Sequence, residues 1–334
     1  MKVLVTGAGG FLGQRIARSL LQQGVEDLRL HVRQRPPEGL VEELRAAFPQ
    51  ARIEWAGANL LARDALASLV ADVDCLVHAA AGMRGAAADM FANSVVGTRN
   101  LLEAAGAAGV RRVVQISSFA VYRTETLGRN AVHDESVPLE TVGVDKGPYG
   151  YAKVRQEQLL DEYRARFGFE TVVLRPGVIY GEGGGALSPR VGIGAMGLFF
   201  SLGGGATLPL TYVENCADAV AVAALKAPPG SAFNVVDDDL PSCRRYLREY
   251  RRLVRRLRTI PVPYPMLLQG SRMLVWYHRR SKGQLPAVFT PYVVRSMYRP
   301  LRYANAALKQ IGWSPRVTTQ AGLERTFRYL HGKG

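Results

Sequence analysis

The sequence predicts an α/β fold built on a doubly wound parallel sheet. Two observations predict it: short apolar segments alternate with helix-like segments through the first half of the chain, and a glycine-rich turn joins the first such pair. The 334 residues are enough for one large domain or for two lobes with a sizeable core. With 48% hydrophobic and 21% charged residues, the composition is typical of a globular protein and not of a disordered one.

The strands and helices of the first half are predicted in alternation. Most strands are short runs rich in Val, Leu and Ile, and the helices repeat their apolar residues every three or four positions. The last helix has Pro148 in its first turn and Gly168 after its end. Strands are expected at 3–6, 28–32, 52–55, 75–79, 113–117 and 171–175, and helices at 13–23, 63–71, 93–106 and 148–167.

The turn between the first strand and the first helix, TGAGGFLG, has the composition of a phosphate-binding loop. Glycine allows a tight turn and a close approach of the backbone to a pyrophosphate, whose charge is favoured by the N–H groups at the start of the following helix. The position after a strand and before a helix favours a dinucleotide site of the Rossmann type over a glycine-rich turn with no ligand. The loop residues assigned to the cofactor are Gly7, Gly10, Phe11, Leu12 and Gly13.

The end of the second predicted strand bears on the choice between NAD and NADP. A carboxylate at this place, about 20 residues after the loop, binds the 2′-hydroxyl of the NAD ribose. Here the segment HVRQR has Arg33 and no acid. Because a guanidinium suits a 2′-phosphate, we predict NADP as the cofactor, with NAD as the alternative if Arg33 is only a solvated charge.

The second half of the chain predicts a smaller lobe that is interleaved with the sheet. A glycine-rich segment is followed by the strand-like TLPLTYV, a helix at 215–225 and a strand at 232–236. We expect residues 1–180 to form the Rossmann-type domain and residues 211–236 to return to it. The smaller, interleaved α/β substrate lobe is expected to comprise residues 181–210 and 237–334.

Six motifs make the sequence similar to a known family. They are TGAGGFLG, VHAAA, ISSFAVY, YGYAK, LRPGVIYG and YVENCADAV. Each is weak alone, but the six in this order resemble the extended short-chain dehydrogenases/reductases, also called the NAD-dependent epimerase/dehydratase family. The resemblance runs over nearly the whole chain. Two segments look most like the 3β-hydroxysteroid dehydrogenase-like branch: RPGVIYGEG, and LRYANAALKQIGWSPRVTTQAGLERTF near the carboxyl end.

The resemblance implies roles for individual residues. Tyr149 matches the catalytic tyrosine of the family, Lys153 the lysine four residues later, and Ser118 the catalytic serine. Asn59 and Leu60 stand where the family has an Asp-Leu pair that meets the adenine, and an amide oxygen can still accept that hydrogen bond. The positions implied beside the nicotinamide are Ala79, Ala80, Ala81, Pro176 and Val178.

Chemistry gives a separate reason for the three catalytic residues. Interconversion of an alcohol and a ketone requires a proton to join or leave the oxygen, and a tyrosine with a pKa of about 10 is a poor base near neutrality. A nearby lysine ammonium and the positive charge of oxidised nicotinamide both favour the phenolate. A spacing of four residues places Tyr149 and Lys153 on one helix face, while Tyr151 points away, and Ser118 can hold the substrate oxygen.

Departures from the family pattern narrow the expected reaction. The Asp-Glu pair of the sugar-nucleotide 4,6-dehydratases is replaced by Phe119 and Ala120, so elimination of water by that route is not expected. The family's Asn before VxGT is Ser94 here, and the displaced Asn93 is given no role. We expect a reductase or dehydrogenase acting on a secondary alcohol and its ketone. The alternatives are a nucleotide-sugar 4-epimerase with tightly bound NAD and a non-catalytic NADP-binding scaffold.

The net charge of +15 is concentrated in one segment. Residues 244–282 contain twelve Arg or Lys and one acid, which gives +11 and leaves +4 for the rest of the chain. No nucleic-acid-binding motif accompanies this charge, so nucleic acid is not an expected partner. Three interpretations stay open: a solvated helix, contact with an acidic portion of a small-molecule substrate, and peripheral contact with anionic lipid through apolar residues such as Trp276.

The remaining features bear on location and assembly. The start, MKVLVTGAGG, lacks the uninterrupted apolar core of a secretion signal, so we expect a cytoplasmic protein, at the inner face of the membrane if the basic segment contacts lipid. Cys75, Cys216 and Cys243 match neither a disulfide framework nor a zinc pattern, so no metal is expected. The family's habit of pairing through helices implies a homodimer. The substrate does not follow from the fold and the three catalytic residues.

Overall fold

A computed structural model describes residues 1–83, 85–185, 187–281 and 289–332, and these residues form strands and helices that alternate through the first half of the chain. The strands are β1 (Lys2–Thr6), β2 (Asp27–Val32), β3 (Arg52–Gly57), β4 (Cys75–His78), β5 (Arg112–Ile116), β6 (Val132–His133), β7 (Glu170–Pro176), β8 (Val178–Tyr180), β9 (Gly192–Ala195), β10 (Leu198–Ser201), β11 (Leu210–Tyr212), β12 (Ser231–Val235), β13 (Thr259–Pro261) and β14 (Arg302–Tyr303). The helices are α1 (Gly13–Gln22), α2 (Leu40–Ala47), α3 (Leu66–Val70), α4 (Ala87–Phe91), α5 (Gly97–Ala107), α6 (Gly147–Phe167), α7 (Val213–Lys226), α8 (Cys243–Leu253), α9 (Tyr264–Arg280), α10 (Pro291–Tyr298), α11 (Ala306–Gln310) and α12 (Thr319–His331).

Seven strands form a parallel central sheet in the order β12-β7-β5-β4-β1-β2-β3. The order reverses at β1, where Val5 pairs with Leu30 of β2 on one side and with Val77 of β4 on the other. Such a switch point opens a crevice at the carboxyl ends of the strands, because the connections on its two sides run in opposite directions. The predicted doubly wound parallel sheet is therefore confirmed.

Apolar layers cover both faces of this sheet. On one face, Val5 packs with Leu20 of α1 and with the alanine-rich surface of α7. On the other face, Leu4 packs with Leu102 of α5 and with Leu160 of α6. Successive side chains of a strand point to opposite faces, so strands that are buried on both faces appear in the sequence as continuous apolar runs.

The second half of the chain leaves the sheet after β7 and returns to it with β12, which pairs with β7 at the edge. The other strands form three small sheets, of which β13-β10-β9 is the largest. α8 and α12 pack together through Leu247 and Phe327, and α9 and α10 through Leu267 and Val294. The domain boundaries expected from the sequence stay a prediction.

Several elements differ in detail from the sequence-based expectation. α2 has an apolar pattern too short to be predicted, and the helix expected at 63–71 is a 3₁₀ turn followed by α3. The helix expected at 93–106 begins with a π turn, Ala92–Val96. The basic segment 244–282 does not continue as one helix: α8 ends at Leu253, Arg255 and Arg256 lie beyond it, and Lys282 falls outside the described residues. No helix within the described ranges is long and apolar enough to cross a membrane.

Candidate active site

The crevice at the carboxyl ends of the central strands contains a cavity of about 1130 Å³. Its walls include residues that directly follow β1, β2, β4 and β5, the end of β7, and parts of α6 and α10. Every residue that the sequence predicts for the cofactor or for catalysis lines this cavity. They are Gly7, Gly10, Phe11, Leu12, Gly13, Arg33, Asn59, Leu60, Ala79, Ala80, Ala81, Ser118, Tyr149, Lys153, Pro176 and Val178.

The glycine loop is shaped by contacts that leave no room for a side chain. Gly7 has a φ of +69°, and a Cβ there would lie 3.0 Å from the backbone of Ala80, which follows β4. A Cβ on Gly13, the first residue of α1, would lie 2.1 Å from the carbonyl oxygen of Gly7. The Gly10 amide donates to the same carbonyl at 2.9 Å. These contacts hold the loop and the amino end of α1 at the cavity, as binding of a pyrophosphate requires.

Arginine side chains line the cavity where β2 ends. Arg33 directly follows β2, and its Nη2 donates to Oδ1 of Asn93 at 2.7 Å. Asn93, which has no predicted role, therefore holds the guanidinium of Arg33, and Arg35 lines the same region. Oδ1 of Asn59 accepts from the amide of Leu61 at 3.1 Å, so one of its two lone pairs is used within its own turn.

The three predicted catalytic side chains meet at the carboxyl end of β5. Ser118 caps a short 3₁₀ turn, where its Oγ accepts from the Ala120 amide at 3.2 Å. Tyr149, in the first turn of α6, shares a side-chain hydrogen bond with Ser118. Lys153 lies one turn later, is buried, and donates from Nζ to the carbonyl of Ile116 at 2.8 Å. The helical spacing of α6 thus brings the tyrosine and the lysine to the same wall.

Burial is the main cause of the pKa shifts of Tyr149 and Lys153. Burial raises the pKa of Tyr149 above its usual value, and the hydrogen bond with Ser118 opposes that rise. Burial lowers the pKa of Lys153 to about 8, and the charge of Glu157 opposes the fall. The hydrogen bond with Ser118 thus favours the phenolate of Tyr149. Further positive charge, such as oxidised nicotinamide supplies, is needed to favour the phenolate.

A buried ion pair lies behind the lysine. Glu157 of α6 accepts from Nε and Nη2 of Arg175 of β7 at 3.0 and 2.7 Å. Nη1 of Arg175 donates to the hydroxyl of Tyr122 at 3.1 Å, and that hydroxyl donates to Oδ1 of Asn234 at 2.7 Å. The network joins α6 to β7, and loss of one partner would leave a buried charge uncompensated, which destabilises the fold.

The cavity also reaches residues that the sequence did not predict for the site. Lys146, before α6, lies 3.6 Å from a carboxylate oxygen of Glu140 and 4.9 Å from the ring centre of Tyr292 on α10. Arg190 donates to a backbone carbonyl of α10 at 3.1 Å and shares a hydrogen bond with Tyr303. No local motif marks these residues, because the walls they form come from three distant parts of the chain. We call the region of Lys146, Arg190 and Tyr292 the substrate end of the cavity.

The cavity carries an excess of positive charge. Among the lining residues that the structure describes, Asp145 is the one with a carboxylate. In the described ranges no carboxylate lies within 4.0 Å of the guanidinium of Arg190, and no cluster of His, Cys, Asp and Glu could hold a metal ion. This charge suits an anionic ligand. The lining residues with positively charged side chains are Arg33, Arg35, Lys146, Lys153 and Arg190.

The chain resembles known proteins in sequence and in fold. The model of the NAD dependent epimerase/dehydratase family matches residues 3–235. The chain is 28% identical over 350 residues to a 2-alkyl-3-oxoalkanoate reductase of Stenotrophomonas maltophilia, which covers 97% of this chain and 98% of that protein. It is 29% identical over 336 residues to a 4-hydroxy-2-methyl-3-oxo-4-farnesyl-3,4-dihydroquinoline-1-oxide ketoreductase of Stigmatella aurantiaca, with 97% and 95% covered. The structure of a UDP-glucuronic acid 4-epimerase from Bacillus cereus in complex with NAD has the same fold, with a TM-score of 0.70, 19% identity, and 99% and 96% of the two chains covered.

Proposed function

Because the chain belongs to the NAD dependent epimerase/dehydratase family, we propose that it is a reductase that interconverts a ketone and a secondary alcohol. Membership of this family makes it an NAD(P)-dependent enzyme of the extended short-chain dehydrogenase/reductase type. The observation that carries the proposal is the meeting of the glycine loop and of Ser118, Tyr149 and Lys153 in one cavity. A loop that binds a dinucleotide and a group that moves a proton are the two parts that hydride transfer to a carbonyl requires.

The residues present fit a nicotinamide dinucleotide. Gly7 and Gly13 leave the loop backbone bare at the amino end of α1, where a pyrophosphate is favoured. Pro176 and Val178 line the cavity together with the catalytic side chains, where the nicotinamide is expected. When bound, the cofactor supplies the hydride to the substrate carbon or accepts it in the reverse direction.

The chain's own residues hold the substrate oxygen and move its proton. In the direction of reduction, the hydroxyl of Tyr149 donates its proton to the carbonyl oxygen, while the hydroxyl of Ser118 donates a hydrogen bond to the same oxygen. Lys153, with a pKa of about 8, is mostly positive at neutral pH and stabilises the phenolate that Tyr149 becomes. In the direction of oxidation, the phenolate accepts the proton of the alcohol.

NADP(H) is the form of the cofactor that we propose. Arg33 and Arg35 line the cavity after β2, where the adenosine ribose is expected. The guanidinium of Arg33 is held by Asn93 and can bind a 2′-phosphate, whereas the described lining of this region has no carboxylate for a 2′-hydroxyl. The charge of the region therefore favours NADP(H) over NAD(H).

The substrate that we propose is a ketone with an anionic group, such as a 3-oxo acid. Arg190 lines the substrate end and has no carboxylate within 4.0 Å among the described residues, so its charge is available to a ligand. A guanidinium binds a carboxylate through two parallel hydrogen bonds. Two relatives that cover nearly the whole chain are named as reductases of 3-oxo compounds, one of them of an oxoalkanoate.

Identification of the bound nucleotide tests the proposal against an epimerase. The purified protein is denatured and the released nucleotide is identified by mass spectrometry. A reductase that exchanges its cofactor at each turnover should release little nucleotide, or NADP. Stoichiometric NAD would instead support a nucleotide-sugar 4-epimerase that retains its cofactor, and would contradict the reductase.

Substitution of the catalytic tyrosine tests the proposed chemistry. Tyr149→Phe should lower kcat for reduction of a 3-oxo acid by about 10²- to 10⁴-fold, the usual contribution of a positioned proton donor. Tyr151→Phe is the matched control, because Tyr151 stacks on Phe91, 6.1 Å away between ring centres, and does not line the cavity. Equal kcat of the two variants would refute the assignment of Tyr149 as the proton donor.

A further inference from the structure

Helix α9 presents an apolar stripe to solvent. The inner face of the helix packs against α10 through Leu267 and Leu268. The outer face carries four large side chains that, at 3.6 residues per turn, fall within about 100° of the helix circumference. Single exposed apolar residues are common on protein surfaces, but four on one helix face form a patch. They are Met266 (66% exposed), Met273 (70%), Trp276 (66%) and Tyr277 (49%).

Exposed arginines border this stripe. Arg272 and Arg279 lie along one edge of it, about 40° and 60° around the helix from Trp276, and Arg280 stands at its carboxyl end. We call these three arginines and the four residues of the stripe the α9 surface. The chain that leads into α9 adds further exposed arginines: Arg251, Arg252, Arg255, Arg256 and Arg258.

The arginines of this part of the chain are almost all without an acidic partner. Residues 244–280 contain eleven arginines and one acid, Glu249. Within the described ranges, only Arg245 among the eleven has a carboxylate within 4.0 Å, from Glu249 at 3.1 Å and Asp239 at 3.9 Å. The positive charge therefore faces solvent and attracts a negatively charged partner.

We propose that the α9 surface binds an anionic lipid bilayer. A helix that lies in the plane of a membrane interface buries an apolar stripe in the lipid and keeps basic residues at the phosphates, and α9 has both features on one face. Trp and Tyr prefer the interface itself, since their rings combine an apolar body with a polar atom. Basic residues beside the helix add attraction to anionic headgroups.

Other occupants fit the surface less well. A second copy of this chain in a symmetric dimer would bring the same arginines together, and like charges oppose such an interface. A helix that is only solvated has no need of exposed Trp and Met on the same face. An acidic protein could pair with the arginines, but such pairing does not account for the exposed apolar side chains of the stripe.

The placement of α9 gives this contact a consequence for the active site. α9 packs against α10, and α10 lines the substrate end of the cavity through Tyr292, Val293 and Met297. One helix therefore separates the bilayer surface from the substrate end. An amphipathic substrate with an anionic headgroup could pass from the lipid to the cavity over this short distance.

Co-sedimentation with vesicles tests the proposal. The full-length protein is mixed at low salt with vesicles of phosphatidylcholine alone or of equimolar phosphatidylcholine and phosphatidylglycerol. We expect sedimentation with the second kind only, with a loss of about tenfold in apparent affinity in the double variant Met273→Gln/Trp276→Gln. Trp55→Gln is the matched control, since Trp55 is also exposed, at 44%, and lies on β3. Circular dichroism checks that each variant is folded.

Fluorescence gives a second, independent measurement. In the Trp55→Gln variant, the remaining tryptophans are Trp276, which is 66% exposed, and Trp313, which is 3% exposed. Insertion of the α9 surface should shift the emission to shorter wavelength when anionic vesicles are added. Equal sedimentation with both kinds of vesicle, or binding that does not change in Met273→Gln/Trp276→Gln, would overturn the proposal. So would absence of sedimentation with the anionic vesicles, and tight binding of an acidic acyl carrier protein that the same variant loses would then identify a protein partner instead.

Discussion

Arg33→Asp should reverse the preference between NADPH and NADH. Arg33 is exposed at the end of β2, with Nη2 held by Oδ1 of Asn93 at 2.7 Å. A hydrogen bond to a charged group contributes about 1.5–3 kcal/mol, and the exposed position favours the lower end of this range. Loss of about 1.5 kcal/mol corresponds to about tenfold weaker binding of NADPH.

The introduced carboxylate weakens the binding of NADPH further by repelling its 2′-phosphate. An aspartate and a doubly charged phosphate about 5 Å apart repel each other by about 1–2 kcal/mol in water, which is a further factor of about ten. The same carboxylate can accept a hydrogen bond from the 2′-hydroxyl of NADH. The ratio of the two dissociation constants should therefore change about a hundredfold in favour of NADH.

Titration calorimetry of both cofactors with the wild type and the variant measures this ratio. All titrations use one ionic strength, because salt screens exposed charges. Asn93→Ala is an informative comparison, since it removes the partner of Arg33 and adds no carboxylate: NADPH should bind more weakly and NADH should not gain. An unchanged ratio in a folded Arg33→Asp variant would mean that Arg33 is only a solvated charge, and the proposed preference for NADP(H) would lose its basis.

Three further substitutions test the loop, the lysine and the substrate end. Gly13→Ala should weaken the binding of NADPH and of NADH about equally, by at least about tenfold in calorimetry, because its Cβ would lie 2.1 Å from the carbonyl oxygen of Gly7. Gly128→Ala is the control: nothing lies within 4 Å of its Cβ, so this variant should bind both cofactors as the wild type does. Burial lowers the pKa of Lys153 from 10.5 to about 8, so between these values the unfolded chain binds the proton more strongly than the folded protein does. The free energy of unfolding of the wild type relative to Lys153→Met should therefore rise as the pH increases from 8 to 10, and a constant difference in urea unfolding would contradict the assignment. Arg190→Gln should raise KM for a 3-oxo acid by about tenfold or more with little change in kcat, and should leave KM for the neutral methyl ester unchanged; an equal effect on acid and ester would refute a carboxylate contact.

The parts of the fold and site that the sequence predicted are those specified by contiguous residues. The glycine loop needs Gly7, Gly10 and Gly13 within one turn, because each permits a close contact inside that turn or with the residues that follow the neighbouring strand β4. Tyr149 and Lys153 are predictable as a pair since one helical turn joins them. The parallel strands could be read from apolar runs because they are buried on both faces.

The parts that the sequence did not predict depend on packing between distant segments. Asn93 holds Arg33 because the π turn at Ala92–Val96 precedes α5, and no spacing rule gives that contact. Arg190 and Tyr292 reach the same end of the cavity from segments about a hundred residues apart in sequence. The pKa of Tyr149 rises because the folded chain buries this side chain. The spacing of Tyr149 and Lys153 in the sequence carries no information on burial and predicts only the effect of the lysine, which favours the phenolate.

The pairing of charges at the substrate end favours a substrate with one anionic group over a nucleotide sugar. Two cations line this end, but Lys146 already has a carboxylate oxygen of Glu140 3.6 Å away and lies over the ring of Tyr292. Arg190 is the cation there that has no carboxylate within 4.0 Å among the described residues. A nucleoside diphosphate brings two phosphates and would leave one of them without a free cation, whereas a carboxylate is matched by a single guanidinium. The pairing of charges at the substrate end thus supports the proposed 3-oxo acid, whose single carboxylate can be bound by Arg190.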